Sequence, residues 1–346
     1  MPALPPLLGI TMGDPAGVGP EIIVKALAAP GVTATCRPVV IGDRSVMEAA
    51  LGLLRSDRRL HTVTAPAECR FDAGAIECLD LRNADANSLQ RAQVSAEAGR
   101  AAYGYIERAV RLCQSGEIDG MVTAPVNKEA LAAAGVQHSG HTEILAKLSG
   151  TKDFAMLLMG RELKVIHVTT HVALRRVPDL CTQDRVLRVI RLAHQTMNGL
   201  GVASPRIAVC GLNPHAGEDG LFGDEEQTQI IPAAEAARRE GLDVHGPLPA
   251  DTLFSRARGG EFDIVVAMYH DQGHVPVKTL GFTYDEARGQ WTGLSGVNVT
   301  VGLPFLRVSV DHGTAFDRAW KGIANPESMI EAIDVAVRML AAKTAI

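Results

Sequence analysis

The chain has 346 residues, of which 47% are hydrophobic and 21% charged, so a largely disordered protein is excluded and more than one domain is expected. A formal net charge of −5 and an aromatic content of 4% argue against nucleic-acid binding, which needs a basic surface and stacking platforms. No apolar run approaches the roughly 20 residues that span a membrane, and no signal peptide is visible. The six cysteines include no C-x-x-C pair. We therefore expect a cytoplasmic protein with reduced thiols and no membrane partner.

Short β-rich runs alternate with helical patterns along the chain. Strands are predicted over Leu7–Thr11, Arg37–Ile41, Asp119–Ala124, Ala155–Met159, Lys164–Thr170, Arg206–Cys210, Asp263–Tyr269 and the longer Asn298–Val310. Helices are predicted over Glu21–Ala28, from Ser88 to near Gly116, over NKEALAAAG, from Thr182 to about Asn198, and over Pro326–Ala342. The polar segment Thr283–Leu294 predicts a surface loop or hairpin. This alternation indicates an α/β fold with largely parallel sheets.

Three apolar runs each end at or just before a histidine: His171, His215 and His270. In open α/β sheets, ligands bind beyond the carboxyl ends of the strands. Three imidazoles from three strands therefore predict a metal site with an open position for substrate. The alternative is that some of them are hydrogen-bonded loop histidines. His167 shares a strand face with His171, and we expect it to be a buried structural residue.

Two further patterns indicate anion binding. The ammonium group of Lys278 and the planar guanidinium of Arg307 together suit a phosphate or carboxylate. Asn298 lies on the same β-rich stretch as Arg307. His141 and Thr142 stand at the expected start of a helix, where backbone N–H groups favour an anion. The alternatives are solvated surface charges, and an ordinary N-cap at Thr142.

Seven motifs follow one another along the chain: ITMGDPAGVGPE, TAPVNKEAL, GHTEILA, GLNPHAGE, PADTLF, YHDQGH and SVDHGTAFD. They resemble the 4-hydroxythreonine-4-phosphate dehydrogenase family of vitamin B6 synthesis, over roughly Ile10 to Ala342. The turn GDPAGVGPE is not the dinucleotide fingerprint G-x-G-x-x-G. Together with HGTAFDRAWKGIANP, it is similar to loops of the isopropylmalate and isocitrate dehydrogenases.

The resemblance implies two α/β/α domains of the isocitrate/isopropylmalate dehydrogenase-like type, with the active site in the cleft between them. We expect the first domain to comprise residues 1–125 and 285–346, and the second residues 126–284. A homodimer is implied, with one metal ligand, at the His270 position, contributed across the interface.

The resemblance also implies roles for individual residues. The ligands of one divalent ion (Zn, Co, Mn or Mg) fall on His171, His215 and His270. The substrate residues fall on His141, Thr142, Lys278, Asn298 and Arg307. By the similarity to the isopropylmalate and isocitrate dehydrogenases, the adenosine part of NAD or NADP falls on His312, Gly313, Thr314 and Asn325. The resemblance does not identify the general base, for which Asp251 and Asp271 are the candidates.

The activity that the resemblance implies is metal- and NAD-dependent oxidation and decarboxylation of a 4-phosphorylated hydroxy acid. The insertion TYDEARGQWTGLS after Gly281–Phe282, and GHVPVK in place of GLPVLK, are more similar to the paralogous branch acting on threonate or erythronate 4-phosphate. The alternatives are a terephthalate-type cis-dihydrodiol dehydrogenase, a non-catalytic phospho-ligand-binding protein and a metal-dependent hydrolase.

Overall fold

The computed structural model describes residues 4–138, 140–281, 283–286, 290–292 and 296–344. Its strands are β1 (Leu7–Thr11), β2 (Arg37–Gly42), β3 (Arg59–Val63), β4 (Ala75–Asp80), β5 (Gly120–Thr123), β6 (Ala155–Met159), β7 (Lys164–His167), β8 (Ile207–Cys210), β9 (Val244–Leu248), β10 (Ile264–Ala267), β11 (Thr283–Asp285), β12 (Gln290–Thr292), β13 (Val297–Val301) and β14 (Leu306–Val310). Its α-helices are α1 (Gly19–Ala28), α2 (Val32–Thr35), α3 (Arg44–Leu53), α4 (Ala96–Ser115), α5 (Lys128–Ala133), α6 (His141–Ser149), α7 (Val177–Leu180), α8 (Gln183–Asn198), α9 (Ile231–Arg239), α10 (Ala250–Arg258), α11 (His270–Gly281) and α12 (Glu327–Thr344).

The chain divides into two compact units. The first unit contains the described residues up to Lys152 together with Leu303–Ala341, and the second contains Asp153–Gly302. The expected boundaries at residues 125 and 284 therefore need correction. The first boundary lies later because α5 and α6 pack against α4 of the first unit. The second lies later because β13 pairs with β6 of the second unit.

The strands of the first unit run parallel in the order β3-β4-β2-β1-β5-β14. The strands β1, β2 and β5 are buried along nearly their whole length. This is typical of parallel sheets that are covered by helices on both faces. The residues that follow β1 and β5 therefore emerge side by side at the carboxyl edge of this sheet.

The strands of the second unit follow the order β13-β6-β7-β10-β8-β9. Strand β6 runs antiparallel to both neighbours, whereas β7, β10, β8 and β9 run parallel to one another. Strands β8 and β10 are completely buried. The carboxyl ends of β7, β10 and β8 consequently lie next to each other at one edge of the sheet.

Most predicted elements form, and the α/β class is confirmed. The helix predicted from Ser88 begins only at Ala96, because the Ser95 hydroxyl accepts a hydrogen bond from Ala98 N and caps it there. Thr182 caps α8 as predicted, accepting from Arg185 N. The described part of the polar segment forms the antiparallel pair β11–β12, so the hairpin prediction is also confirmed.

Two further expectations concern membranes and thiols. None of the helices in the described ranges is long and apolar enough to cross a membrane. All six cysteines are free thiols, in agreement with the absence of a C-x-x-C pair.

Candidate functional site

The three strand-end histidines follow three neighbouring strands. His171 comes shortly after β7, His270 is the first residue of α11 after β10, and His215 lies in the loop after β8. The sequence predicted that each histidine follows a strand. The structure adds that these three strands are adjacent and parallel.

His171 and His270 come closest together, with ring centroids 5.5 Å apart. His270 Nδ1 donates to Asp271 Oδ1 over 2.7 Å, and this hydrogen bond is the main cause that holds the pKa of Asp271 below its usual value. A histidine held by a carboxylate in this way presents its other ring nitrogen, Nε2, to a metal. Among the described residues, no three His, Cys, Asp or Glu side chains already form a ligand group. The two rings have the donor atoms of metal ligands, and the described residues of one chain place no third such side chain where the three could hold an ion.

His215 lies in the 3₁₀ turn Pro214–Gly220, where the chain runs with positive φ from His215 to Asp219. Its ring centroid lies 6.3 Å from that of Phe222, which is 45% exposed. L-residues rarely adopt this left-handed conformation, so the loop is not the start of an ordinary right-handed helix.

Helix α11 carries a row of basic side chains on one face. His270, His274 and Lys278 are four residues apart, so they lie above one another on the helix. The rings of His270 and His274 stack at 3.7 Å with an interplanar angle of 8°. Burial, reinforced by the neighbouring histidines and Lys278, lowers the pKa of His274 to about 3. His274 was not singled out from the sequence, although its spacing from His270 in YHDQGH indicates the shared face.

His167 is fully buried, as expected from the sequence. Its Nδ1 donates to the backbone oxygen of Met156 over 3.1 Å, and its ring centroid lies 4.8 Å from that of His274. Burial lowers the pKa of His167 to about 4, so the ring is neutral at physiological pH. The prediction of a structural histidine is confirmed.

Asp251 and Asn298 lie at different levels relative to the strands of the second unit. Asp251 is exposed in the first turn of α10, directly after β9, so it lies at the same carboxyl edge as the histidines. Asn298 pairs in register with Leu158 on β6, which in turn is opposite Val165 on β7. Asn298 therefore stands at mid-sheet, two strands from β7, and the structure does not bring it to the histidine edge.

Arg307 is a buried cation in the first unit. Only 4% of it is exposed, and its Nε and Nη2 atoms donate to the Thr123 hydroxyl over 3.1 and 2.8 Å. Burial lowers the pKa of Arg307 to about 9, so the guanidinium is still charged at neutral pH. Burial, followed by the charge of Arg307, lowers the pKa of His141 well below its usual value. A charged guanidinium beside a neutral imidazole at the start of α6 favours the binding of an anion.

Thr142 is the second residue of α6 and is half-buried. The N-cap position is held by Gly140, whose backbone is extended, and no side chain caps the helix. The alternative interpretation of Thr142 as an ordinary N-cap is therefore wrong.

The residues expected at the cofactor belong to a loop that is bound to the glycine-rich turn after β1. Thr314 O accepts from Val18 N over 3.1 Å, and Trp320 Nε1 donates to Pro15 O over 3.2 Å. The two motifs that resemble dehydrogenase loops thus adjoin each other in the first unit.

Two of these residues, His312 and Asn325, differ in whether hydrogen bonds within the protein already satisfy their side-chain polar atoms. His312 Nδ1 donates to Gly313 O over 2.9 Å, while its buried Nε2 has no hydrogen-bond partner within the described residues. A polar ligand atom would satisfy that nitrogen. Asn325 Oδ1 instead accepts from Glu327 N at the start of α12, which accounts for Asn325 structurally.

Comparison with known proteins gives consistent results. Residues 34–336 match the family of the pyridoxal phosphate biosynthetic protein PdxA. The chain is 54% identical to D-threonate 4-phosphate dehydrogenase of Cupriavidus necator over 95% of both proteins. A solved 4-hydroxythreonine-4-phosphate dehydrogenase from Klebsiella pneumoniae is 45% identical, with a TM-score of 0.85 over 97% of this chain and 99% of that one. A terephthalate 1,2-cis-dihydrodiol dehydrogenase from Burkholderia xenovorans is 32% identical, with a TM-score of 0.67 over 96% and 98% of the two chains.

Proposed function

Because the chain belongs to the family of the pyridoxal phosphate biosynthetic protein PdxA, we propose that it is a dehydrogenase that oxidises and decarboxylates a 4-phosphorylated hydroxy acid. The substrate we propose is D-threonate 4-phosphate. The higher identity to a D-threonate 4-phosphate dehydrogenase, 54% against 32% for the dihydrodiol enzyme, supports a phosphorylated substrate over a diol.

The position of His171, His215 and His270 after three neighbouring parallel strands is the observation that carries this proposal. These residues would hold one divalent ion (Zn, Co, Mn or Mg), which polarises a substrate oxygen as a Lewis acid. Neutral imidazoles are required as ligands, so activity is expected to fall at low pH.

Recognition of the substrate anion is assigned to His141, Thr142, Lys278, Asn298 and Arg307. The buried charge of Arg307, oriented by Thr123, supports its role as the main phosphate contact. Binding of a phosphate remote from the reacting carbon would position that carbon for oxidation.

The cofactor would be NAD or NADP, and its chemistry would be to accept a hydride from the carbon that carries the hydroxyl group. His312, Gly313, Thr314 and Asn325 are assigned to its adenosine part. The orphan Nε2 of His312 supports this assignment, whereas the bond of Asn325 to Glu327 makes Asn325 its weakest member.

Asp251 and Asp271 have different roles in this proposal. The hydrogen bond from His270 and the lowered pKa of Asp271 support a role in orienting His270. This leaves Asp251, exposed at the same edge of the sheet, as the general base.

We further propose a homodimer that shares the metal site. Large apolar side chains next to the three histidines are exposed, namely Val172 (42%), Leu174 (68%), Leu221 (71%), Phe222 (45%) and Val275 (60%). A second copy of the chain would cover this apolar rim. The family resemblance assigns the shared ligand to His270, whereas the closeness of His171 and His270 within one chain favours His215.

Subunit complementation distinguishes these arrangements. If His215 is the ligand that crosses the interface, mixed dimers of H171A and H215A should regain activity. If His270 crosses instead, mixed dimers of H171A and H270A should regain it. Failure of every pairwise mixture would overturn the shared site.

The test of the main proposal is an assay of nicotinamide reduction. NADH or NADPH should form only with a 4-phosphorylated C4 acid and a divalent ion, and carbon dioxide should be released in equal amount. Turnover that persists in excess chelator would overturn the metal requirement. Oxidation of an aromatic diol, release of phosphate without nicotinamide reduction, or ligand binding without turnover would each favour one of the alternatives.

A further inference from the structure

The backbone that presents His215 is left-handed over five consecutive residues. From His215 to Asp219, φ lies between 42° and 81°, and only Gly217 among these residues is a glycine. For an L-residue this conformation costs about 1–2 kcal/mol. Such a run persists only where the surroundings hold it in place. The question is which side chains do so.

Glu226 holds the residues just before this run. Its side chain is buried, and its Oε1 accepts from Leu212 N and Asn213 N over 2.6 and 2.7 Å. Its Oε2 accepts from Asn213 Nδ2 over 2.9 Å. A Cβ on Gly217 would lie 2.7 Å from the same Oε2, so the carboxylate occupies space that only glycine leaves free. One buried carboxylate therefore contacts both the entry to the left-handed run and its middle.

Gln272 connects this loop to the neighbouring one. Its Oε1 accepts from Met268 N over 2.7 Å, and its Nε2 donates to Gly211 O over 2.8 Å. Met268 lies two residues before His270, and Gly211 lies four residues before His215. Both ends of a single amide are therefore used to join the two histidine loops.

The connection continues to the third strand end. Met268 O accepts from Thr169 N and from the Thr169 hydroxyl, over 3.1 and 2.8 Å. Thr169 lies two residues before His171. Hydrogen bonds thus run without a gap from the end of β7, through the end of β10, to the end of β8.

We propose that Gln272 is a positioning residue that fixes the His215 loop to the ends of β10 and β7, with Glu226 anchoring the left-handed turn. This inference rests on the proposed function, in which each of the three strand-end loops supplies a ligand to a metal ion shared between two chains. Neither Gln272 nor Glu226 is itself a ligand. They act by fixing the backbone from which the ligands extend.

The chemistry of the amide dictates the variants. Q272E keeps the acceptor for Met268 N but has no donor for Gly211 O, and Q272M loses both hydrogen bonds with a side chain of similar size. A matched control is Gln229, which is also half-buried and lies on the π-helical turn Glu226–Ile230. Its Oε1 accepts from Gln183 N, away from the histidine loops, so Q229M removes a comparable bond.

The experiment measures zinc affinity of the full-length protein by competition with a chelator, alongside hydrogen exchange without metal. We expect Q272M and Q272E to bind zinc about 10–100-fold more weakly, the usual effect of losing a partner that orients ligands. Q229M should bind as the unmodified protein does. Exchange of the amides in residues 211–217 should be faster in Q272M, and in E226A, than in Q229M.

Two results would contradict these proposals. Unchanged zinc affinity and unchanged exchange of residues 211–217 in both Gln272 variants would overturn the positioning role. If the unmodified protein binds none of zinc, cobalt, manganese and magnesium, the proposed metal function fails, and the exchange measurement alone then decides whether Gln272 holds the loop.

Discussion

The rings of His171 and His270 lie with their centroids 5.5 Å apart although 99 positions separate the two residues in the chain. They meet because β7 and β10 pair in parallel, with His167 opposite Ala267. Both strands therefore end at the same level, and the residues that follow them emerge together. This pairing is the structural basis of the metal site that we propose at the carboxyl ends of β7, β10 and β8.

Replacement of either ring should abolish tight metal binding. We expect H171A and H270A to weaken zinc affinity by at least about 100-fold, more than loss of a supporting partner would. H194A, near the end of α8, serves as the control and should bind normally. A chelator competition titration measures the affinity, and circular dichroism checks the fold. Full zinc affinity in H270A would contradict the assignment.

The variant D271N separates the two roles considered for Asp271. If Asp271 orients His270, zinc affinity should fall about 10–100-fold, and saturating zinc should restore most of kcat. If Asp271 is instead the general base, D271N should lower kcat at every zinc concentration and leave the zinc affinity unchanged. D251N is expected to show this second pattern. Steady-state rates measured across a zinc titration distinguish the two outcomes.

Thr123 should matter for substrate affinity through Arg307. T123V removes the hydroxyl that accepts two bonds from the guanidinium, and hydrogen bonds to a charged group contribute about 1.5–3 kcal/mol. We therefore expect KM for the phosphorylated acid to rise about 10–100-fold. T123S keeps the hydroxyl and should stay near the original KM. Equal KM values for the Val and Ser variants would exclude this orienting role.

The buried Asp14 predicts a pH-dependent stability effect. Burial raises the pKa of Asp14 from 3.8 to about 6, although its Oδ1 accepts from Ala16 N over 2.8 Å. The native state therefore binds this proton more tightly than the unfolded state does, and the stabilising contribution present below pH 3.8 is lost as the pH rises through about 6. Above pH 6 the buried charge costs up to about 3 kcal/mol.

D14N should accordingly stabilise the protein at pH 7.5 and have little effect at pH 4. Asn retains an acceptor oxygen for Ala16 N, so the turn itself is preserved. The free energy of unfolding from urea titrations at both pH values measures the difference. D57N changes an exposed aspartate and provides the control. A D14N protein that is less stable at pH 7.5 would refute the burial argument.

Local features of the fold were predictable because their causes are local. Leu7–Thr11 is an apolar run with β-branched residues, and Thr182 precedes a helical pattern with a free hydroxyl for capping. Helix α11 was missed because Pro276 and Gly273 interrupt its pattern. Its helical form depends on packing against β6, β7 and β10.

By itself, the sequence determined that three strands each lead into a histidine and that the chain alternates between strands and helices. It could not determine that β7, β10 and β8 are neighbours, because strand order arises from hydrogen bonds between segments far apart in the chain. For the same reason Gln272 and Glu226 resemble ordinary polar residues in the sequence. Only the tertiary structure decides that one amide and one carboxylate hold the loops from which the histidines extend.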